Sequence, residues 1–305
     1  MASALVPVGS PPHTSGRLPE WIRVRPPREH YTEVRDLLSE LKLGTVCREA
    51  HCPNLSECWS AGTATLMLLG TDCTRRCGFC AVRTHWPNGV VDQTEPARVG
   101  EAVRRWGLRY VVLTQVCRDD LVDGGAEALA ETVAEIRRQA PKTRVELLIG
   151  DLQGRVNSIQ RLLEDPPDVL AHNIETVRSL SAQVRDRRAA YDQSLGVLHT
   201  VRELGGPRLV TKSSIMLGLG ETESMLHQCF LDLRAAGVDL LTLGQYLRPS
   251  AEHVPVSGFV LPDTFERLRL RALEVGFHGV EAGPLVRSSY HAEELFTQAH
   301  ASRGG

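Results

Sequence analysis

Short apolar runs alternate with longer amphipathic stretches along most of the chain. Six runs have the length and the β-branched content of buried strands, and a weaker seventh follows them. The seven predicted strands are 63–70, 109–114, 144–149, 168–173, 208–216, 238–243 and 278–283. Apolar residues at helical spacing precede and separate these strands, at 31–43, 96–107, 125–140, 191–205, 223–237 and 262–276. The alternation of strand and helix predicts an α/β chain with a parallel sheet.

The number of strand–helix units favours a partial (β/α)6-type TIM-like barrel with N- and C-terminal extensions. An open doubly wound sheet is the alternative, and in both folds ligands bind at the carboxyl ends of the strands. Polar stretches stand at those ends: TQVCRDD after the second strand, GDLQG after the third, HNIET at the end of the fourth and GQY after the sixth. The pattern therefore predicts a catalytic barrel rather than a structural one.

The composition limits the kinds of partner that the chain is expected to bind. The 305 residues carry a net charge of −2, which gives no sign of a nucleic acid or an anionic membrane surface as a partner. The apolar runs are too short to span a bilayer. Residues 1–30 form a Pro/Gly/Ser-rich stretch that is predicted to be a flexible leader and that lacks the pattern of a secretory signal. We therefore expect a cytoplasmic protein, with an organellar transit remnant as the alternative.

Six of the eight cysteines lie between residues 47 and 80, which favours metal binding over disulfides in an intracellular chain. Cys73, Cys77 and Cys80 follow the first predicted strand at the spacing C-x3-C-x2-C. Soft thiolates suit iron–sulfur clusters, and three of them leave one iron open to the amine and carboxylate of a small molecule. A structural zinc site that borrows a distant histidine is the alternative. Cys117 and Cys229 stand alone and are expected to be ordinary thiols.

A second incomplete set of cysteines precedes the first. Cys47, Cys52 and Cys58 are spaced C-x4-C-x5-C, so this trio also lacks a fourth ligand.

With these motifs the chain resembles the lipoyl synthase family of radical S-adenosylmethionine (radical SAM) enzymes. The family combines C-x3-C-x2-C, with an aromatic residue before the last cysteine (Phe79 here), and the upstream C-x4-C-x5-C. The resemblance runs from about residue 40 to residue 292 and includes RDDLVDGGA, HNIETV, VRDRRAAYDQSL, GQYLRPS and GPLVRSSYHA. It implies that Ser289, with Ser288 beside it, completes the upstream set through its hydroxyl oxygen.

The resemblance also implies the reaction. Two [4Fe-4S] clusters and two molecules of S-adenosylmethionine per lipoyl group would insert sulfur at C6 and C8 of an octanoyl chain. That chain would be carried by a lipoyl carrier domain or an H-protein, and a ferredoxin or flavodoxin would supply electrons. The alternatives are another sulfur-inserting radical SAM enzyme, similar to biotin synthase, and a non-enzymatic two-cluster electron carrier.

The contacts to S-adenosylmethionine are also implied only by the resemblance. The residues expected there are Phe79, Gly124, Gly125, Asn173, Glu175 and Arg185.

Several of these residues could instead have an ordinary structural role. The glycine pair could simply begin a helix, and Arg185 could be a solvated helix charge. The neighbouring His172 could be a core histidine, and Lys212, near the middle of a predicted strand, would need a partner if it is buried.

Some positions around the strand ends depart from the family pattern. The family usually has serine at Gln115, a residue other than cysteine at Cys117, Thr-Pro at 149–150 and Ser-Gly at 213–214. These departures lie where contacts to substrate or cofactor are expected and leave every implied cluster ligand in place. The domain boundaries that follow are a leader at 1–30, an extension with the upstream trio at 31–62, the barrel at 63–283 and a C-terminal extension with the serine at 284–305.

Overall fold

A computed structural model describes residues 6, 18–23, 26, 31–60 and 64–303 of the chain. Most of the leader predicted at 1–30 and the boundary predicted between residues 62 and 63 lie outside the described residues.

Ten strands are present in the described residues. They are β1 (Gly44–Thr45), β2 (Thr65–Leu68), β3 (Asp72–Cys73), β4 (Arg83–Thr84), β5 (Tyr110–Gln115), β6 (Arg144–Leu148), β7 (Val169–Ala171), β8 (Val210–Leu217), β9 (Leu240–Gln245) and β10 (Gly279–Gly283). The seven strands predicted from the sequence correspond to β2 and β5 to β10, with ends that differ by a few residues.

Eleven α-helices are present in the described residues. They are α1 (Tyr31–Glu40), α2 (Val46–Glu49), α3 (Leu55–Ser60), α4 (Glu95–Trp106), α5 (Ala126–Gln139), α6 (Val156–Leu163), α7 (Arg178–Val184), α8 (Tyr191–Gly205), α9 (Glu223–Ala235), α10 (Pro262–Val275) and α11 (Ala292–Arg303). The sequence pattern predicted α1, α4, α5 and α8 to α10. It did not predict α2, α3, α6, α7 or the terminal α11.

One eight-stranded sheet organises the chain in the order β1-β2-β5-β6-β7-β8-β9-β10. Strand β1 is antiparallel to β2, and every later neighbour in the sheet is parallel. The sheet begins at β1 and ends at β10, so it is an open, partial barrel. This arrangement confirms the predicted fold class and adds the weaker seventh strand to the parallel sheet. Strands β3 and β4 form a separate two-stranded sheet beside the loop that contains the first cysteine trio.

A buried ion pair lies inside the barrel. The Lys212 ammonium group is 2.8 Å from Glu146 Oε1, and both side chains are 1% exposed. The Tyr110 hydroxyl donates to the same carboxylate at 2.7 Å. Lys212 therefore has the partner that its burial required, and removal of either charge would leave the other buried and uncompensated. This role is structural, because Lys212 lies away from the cysteines, towards the amino end of β8.

The segment after β10 returns to the carboxyl edge of the sheet. A Cβ atom added to Gly244, near the end of β9, would lie 2.1 Å from the carbonyl oxygen of Val286. The Asn54 side chain donates to the Leu285 carbonyl oxygen at 2.5 Å and thereby joins this segment to the region of the upstream cysteines. Among the described residues, no helix combines the length and the apolar character needed to cross a bilayer.

Candidate functional site

A cavity of about 470 Å³ opens at the carboxyl ends of the parallel strands. Its wall includes most of the predicted cluster ligands: Cys47, Cys52, Cys73, Cys77, Cys80 and Ser289. Cys58 does not line it and lies partly buried on α3, against the core. The fold thus brings five of the six clustered cysteines and the distant serine to one cavity.

The loop that contains the first trio is fixed by bonds from two distant parts of the chain. The Gly78 N–H donates to the Val184 carbonyl oxygen at 2.9 Å, and the Val254 N–H donates to the Gly78 carbonyl oxygen at 2.8 Å. His253 Nε2 lies 3.1 Å from the carbonyl oxygen of Cys80. These bonds fix the backbone that positions Cys77 and Cys80 at the cavity wall.

Arg75, inside the same loop, is a buried clamp. Its guanidinium group forms paired bonds to the carboxylate of Asp119, after β5, and to that of Asp151, after β6. The side chains of Arg75 and Asp151 are 2% and 1% exposed. Paired bonds from one planar cation to two carboxylates set both position and orientation. The clamp therefore holds the cysteine loop against two strand ends.

The three thiols of the first trio lie in different environments. A hydrogen bond from the Cys117 thiol lowers the pKa of Cys73 to about 7. Burial raises the pKa of Cys77 to about 11 and that of Cys80 to about 12. Iron is bound by the thiolate form, so cluster binding has to release protons from Cys77 and Cys80.

Asn173 and Glu175 follow β7 and face the cavity. The Glu175 backbone is in the left-handed region, at φ 67°, which costs free energy for a residue with a side chain. Backbone bonds to Ser214 and Met216 on β8 hold it there. Burial raises the pKa of Glu175, while the charge of Arg185 and a hydrogen bond from Asn173 oppose that rise.

Arg185 is fixed by a chain of bonds that ends at His172. Arg185 Nη1 lies 2.8 Å from the hydroxyl oxygen of Ser194, and His172 Nε2 lies 2.8 Å from the same oxygen. Burial lowers the pKa of His172 to about 4, so its ring is neutral at neutral pH and its Nδ1–H donates to the Ile149 carbonyl oxygen. His172 is thus a fully hydrogen-bonded histidine that supports the cavity wall.

The three remaining predicted cofactor contacts lie in two places: one at the main cavity and two at the start of α5. Phe79 lines the cavity and packs in a small apolar cluster with Val184 and Tyr246. Gly124 and Gly125, at φ 67° and 93°, begin α5 and do not line the main cavity. Gly124 borders a small adjoining pocket, whereas a Cβ atom on Gly125 would lie 2.3 Å from Leu69. Gly125 therefore has the helix-start environment that was the alternative for this pair.

The upstream trio spans two short helices and the loop between them: Cys47 lies on α2, Cys52 in the loop and Cys58 on α3. The Thr45 side chain caps α2 by accepting a bond from the Cys47 N–H, and the Cys52 N–H donates to the Cys47 carbonyl oxygen at 3.0 Å. The Cys58 N–H donates to the Asn54 carbonyl oxygen at 2.8 Å. Burial raises the pKa of Cys52, and the neighbouring Cys47 adds to the rise.

Arg287 directly precedes the two serines in the sequence. Its side chain lines the cavity beside Cys52, and burial lowers its pKa while the Cys52 charge opposes that shift. Within the described residues no carboxylate forms an ion pair with it. A cation in such a place favours an anionic group in the cavity.

Five residues of this site were not singled out individually from the sequence: Arg75, Asp119, Asp151, Gly244 and Arg287. Three of these, Asp119, Asp151 and Gly244, belong to the stretches TQVCRDD, GDLQG and GQY that were predicted to stand at strand ends. The position of Arg75 between two cysteines was a usable signal, since a charge inside a ligand loop needs a partner. The contact between Gly244 and Val286 had no such signal, because it depends on how the C-terminal segment folds back.

The cavity has features that fit the two implied groups. The thiols of each trio are soft donors of the kind that iron–sulfur clusters take. The Asn173 and Gln115 side-chain oxygens are buried at the wall and accept no hydrogen bond in the described structure. Unpaired buried acceptors of this kind call for a donor, and the ammonium group of S-adenosylmethionine is one. Within the described residues, no His, Cys, Asp and Glu side chains group closely enough to hold a single metal ion.

Comparisons with known proteins agree with this geometry. The family described as "Radical SAM superfamily" matches residues 67–233. The chain is 51% identical over 282 residues to "Lipoyl synthase" of Thermus thermophilus, covering 92% of this chain and 87% of that protein. It is 51% identical over 288 residues to "Lipoyl synthase, mitochondrial" of Lachancea thermotolerans, covering 92% and 77%. The crystal structure of methylornithine synthase (PylB) matches with a TM-score of 0.53 at 15% identity, covering 82% of this chain and 74% of that chain, and so shares the fold.

Proposed function

The chain belongs to the lipoyl synthase family of the radical SAM superfamily, and from that premise we propose which of its residues carry the reaction. The enzyme is a sulfurtransferase that inserts two sulfur atoms, at C6 and C8, into a protein-bound octanoyl chain. A [4Fe-4S] cluster and S-adenosylmethionine serve the radical chemistry, and the substrate is a lipoyl carrier protein that is modified with a reductant present. The observation that carries the proposal is that the first trio, Cys47, Cys52 and Ser289 all line one cavity at the end of the barrel.

Cys73, Cys77 and Cys80 would hold the radical SAM cluster. The Arg75 clamp and the bonds to Gly78 fix their loop before any group binds, so little conformational freedom is lost on binding. Three thiolates leave one iron for the methionine part of S-adenosylmethionine. When bound, the two clusters would supply the electron that cleaves the cofactor and the sulfur that is inserted.

Asn173, Glu175 and Arg185 would bind the polar part of the cofactor. The unpaired Asn173 oxygen and the Glu175 carboxylate offer acceptors to an ammonium group. Arg185 keeps one nitrogen on Ser194 and thereby aims the rest of its guanidinium group at the cavity. The left-handed backbone of Glu175 is the kind of strain that occurs at ligand-binding positions.

Cys47, Cys52, Cys58 and Ser289 would hold the auxiliary [4Fe-4S] cluster. A hydroxyl oxygen is a weaker ligand for iron than a thiolate, which suits a cluster that gives up sulfur during the reaction. Arg287 would offset the negative charge of this cluster from the side of Cys52.

The octanoyl chain would lie along an apolar part of the cavity. Met67, Val116, Ile149 and Met216 are among the apolar residues of the cavity wall. An apolar wall favours a fatty acyl chain and excludes water, which would otherwise quench a carbon radical. The carrier domain or H-protein would remain outside, and a ferredoxin or flavodoxin would reduce the clusters. We place the enzyme in the cytoplasm, although its relatives include mitochondrial proteins.

The test is product analysis under anaerobic conditions. Enzyme with both clusters loaded is reduced with dithionite and incubated with S-adenosylmethionine and an octanoylated carrier-domain peptide. We expect mass spectrometry to detect the peptide with one and then two added sulfur atoms, together with 5′-deoxyadenosine. Cys80→Ala serves as the control that should abolish both products.

Two results would contradict the proposal. Fully loaded enzyme that cleaves the cofactor without forming any thiolated peptide would exclude this substrate. Sulfur insertion into dethiobiotin in a parallel reaction would favour the alternative that resembles biotin synthase.

A further inference from the structure

Three segments from different parts of the chain meet beside the cavity: residues 73–80, 184–189 and 246–254. Gly78, in the first segment, joins the other two. Its N–H donates to the Val184 carbonyl oxygen at 2.9 Å, and its carbonyl oxygen accepts a bond from the Val254 N–H at 2.8 Å. The loop of the first cysteine trio therefore lies between the other two segments.

These three segments are strongly cationic. They contain six arginines and two acids, Asp186 and Glu252, in a chain whose net charge is −2. Asp186 is paired with Arg188 at 2.9 Å, and Glu252 is exposed. Three of the arginines are exposed and form no ion pair with a carboxylate of the described residues: Arg76, Arg187 and Arg248. We call these three residues the cationic rim.

The cationic rim stands at the opening of the cavity. Arg248 itself lines the cavity, and its Nε–H donates to a backbone carbonyl oxygen at 2.8 Å. Arg76 directly precedes the wall residue Cys77, and Arg187 lies two residues after the wall residue Arg185. Exposed side chains next to the wall are the ones that a partner meets when part of it reaches into the cavity. The octanoyl chain enters on a lysine of a carrier protein, so the surface around that lysine must rest on this opening.

We propose that the cationic rim docks a carboxylate-rich surface of the carrier protein around its octanoylated lysine. Opposite charges across an interface speed the encounter and set the orientation of the two proteins. Arginine suits this role because its planar guanidinium group binds a carboxylate through two parallel bonds. The inference rests on the proposed function, since it takes the octanoylated carrier as the substrate, and it adds where that carrier docks.

The test compares two substrates, with dithionite as the reductant for both. One is an octanoylated carrier domain, and the other is a short octanoyl-lysine peptide without acidic residues. Arg187→Glu reverses one charge of the rim, Arg187→Lys keeps it, and the double variant Arg76→Glu/Arg187→Glu reverses two. Arg208→Glu is the matched control, because Arg208 is exposed and precedes the amino end of β8, at the opposite end of the barrel.

We expect kcat/KM for the carrier domain to fall by about tenfold relative to that for the peptide in the double variant. The fall should be smaller in Arg187→Glu and absent in Arg187→Lys and Arg208→Glu. Added salt should reduce the difference between the double variant and the unaltered enzyme, because it screens exposed charges.

Three results would overturn the inference. An unchanged kcat/KM for the carrier domain in the double variant would remove the docking surface. An equal fall for carrier and peptide would assign the effect to the cysteine loop. A fall that occurs only when a ferredoxin or flavodoxin replaces dithionite would assign the rim to the electron donor. The proposed function fails separately, if the unaltered enzyme forms no thiolated product from either substrate.

Discussion

Five of the six clustered cysteines line one cavity, but the two trios are held in different ways. Cys73, Cys77 and Cys80 lie in a loop that side chains from two strand ends clamp through Arg75. Cys47, Cys52 and Cys58 lie on two short helices and the loop between them, outside the parallel sheet, and the C-terminal segment reaches this region through Asn54. The first site is part of the barrel rim, whereas the second is assembled from two extensions. We expect the proposed permanent site and the proposed sulfur-giving site to need these two different kinds of support.

The largest expected effect comes from removal of the Arg75 clamp. Arg75→Met leaves the buried Asp119 and Asp151 carboxylates without their shared cation, which costs about 3–5 kcal/mol of unfolding free energy. We expect loss of the cofactor-responsive cluster while the upstream cluster still loads, measured by iron counting and electron paramagnetic resonance. Arg83→Met is the control, because Arg83 is 69% exposed in its pair with Asp72 and should cost at most about 1 kcal/mol. Equal loss of both clusters in Arg75→Met would show that Arg75 does not support the first site alone.

Low pH should lower the unfolding free energy of the chain through His172, which supports the cavity wall at the first site. His172 has a pKa of about 4 in the folded chain and 6.5 as its ordinary value. Between these pH values the unfolded chain binds a proton that the folded chain excludes, so the unfolding free energy falls as the pH falls. This difference corresponds to roughly 3 kcal/mol. Denaturant titrations of cluster-free protein should show a shallower pH dependence for His172→Gln. Parallel pH curves for the two proteins would show that His172 does not contribute.

A smaller and more local effect is expected at the C-terminal segment. Gly244→Ala places a Cβ atom against the Val286 carbonyl oxygen, and such overpacking costs about 1–3 kcal/mol. We expect the shifted segment to move Ser289 and lower iron loading at the upstream site, with the first cluster intact by spectroscopy. Gly196→Ala, on α8, is the matched control, because nothing lies within 4 Å of its added Cβ. Normal loading of both clusters in Gly244→Ala would show that the segment tolerates the contact.

The sequence predicted the barrel well because its strands are continuous apolar runs and its longer helices have a clear apolar period. It did not predict α2 and α3, since helices of four and six residues are too short to show a period. The Arg75 clamp joins residues that are 44 and 76 positions apart, so only the folded chain reveals it. The implied role of Ser289 came from the family resemblance and not from any spacing in this chain. Cys117 was expected to be an ordinary thiol, and its place in the same cavity wall as Cys73 could not be predicted from the sequence.

The most direct test of two separable sites is the ratio of cofactor cleavage to sulfur insertion in Ser289→Ala and Ser288→Ala. Both variants are loaded, reduced and given the octanoylated peptide, and 5′-deoxyadenosine and thiolated peptide are measured in the same samples. We expect Ser289→Ala to form 5′-deoxyadenosine with little or no thiolated peptide, and Ser288→Ala to form both. Full sulfur insertion by Ser289→Ala, or loss of cofactor cleavage in that variant, would contradict the assignment of this serine to a separate sulfur-giving site.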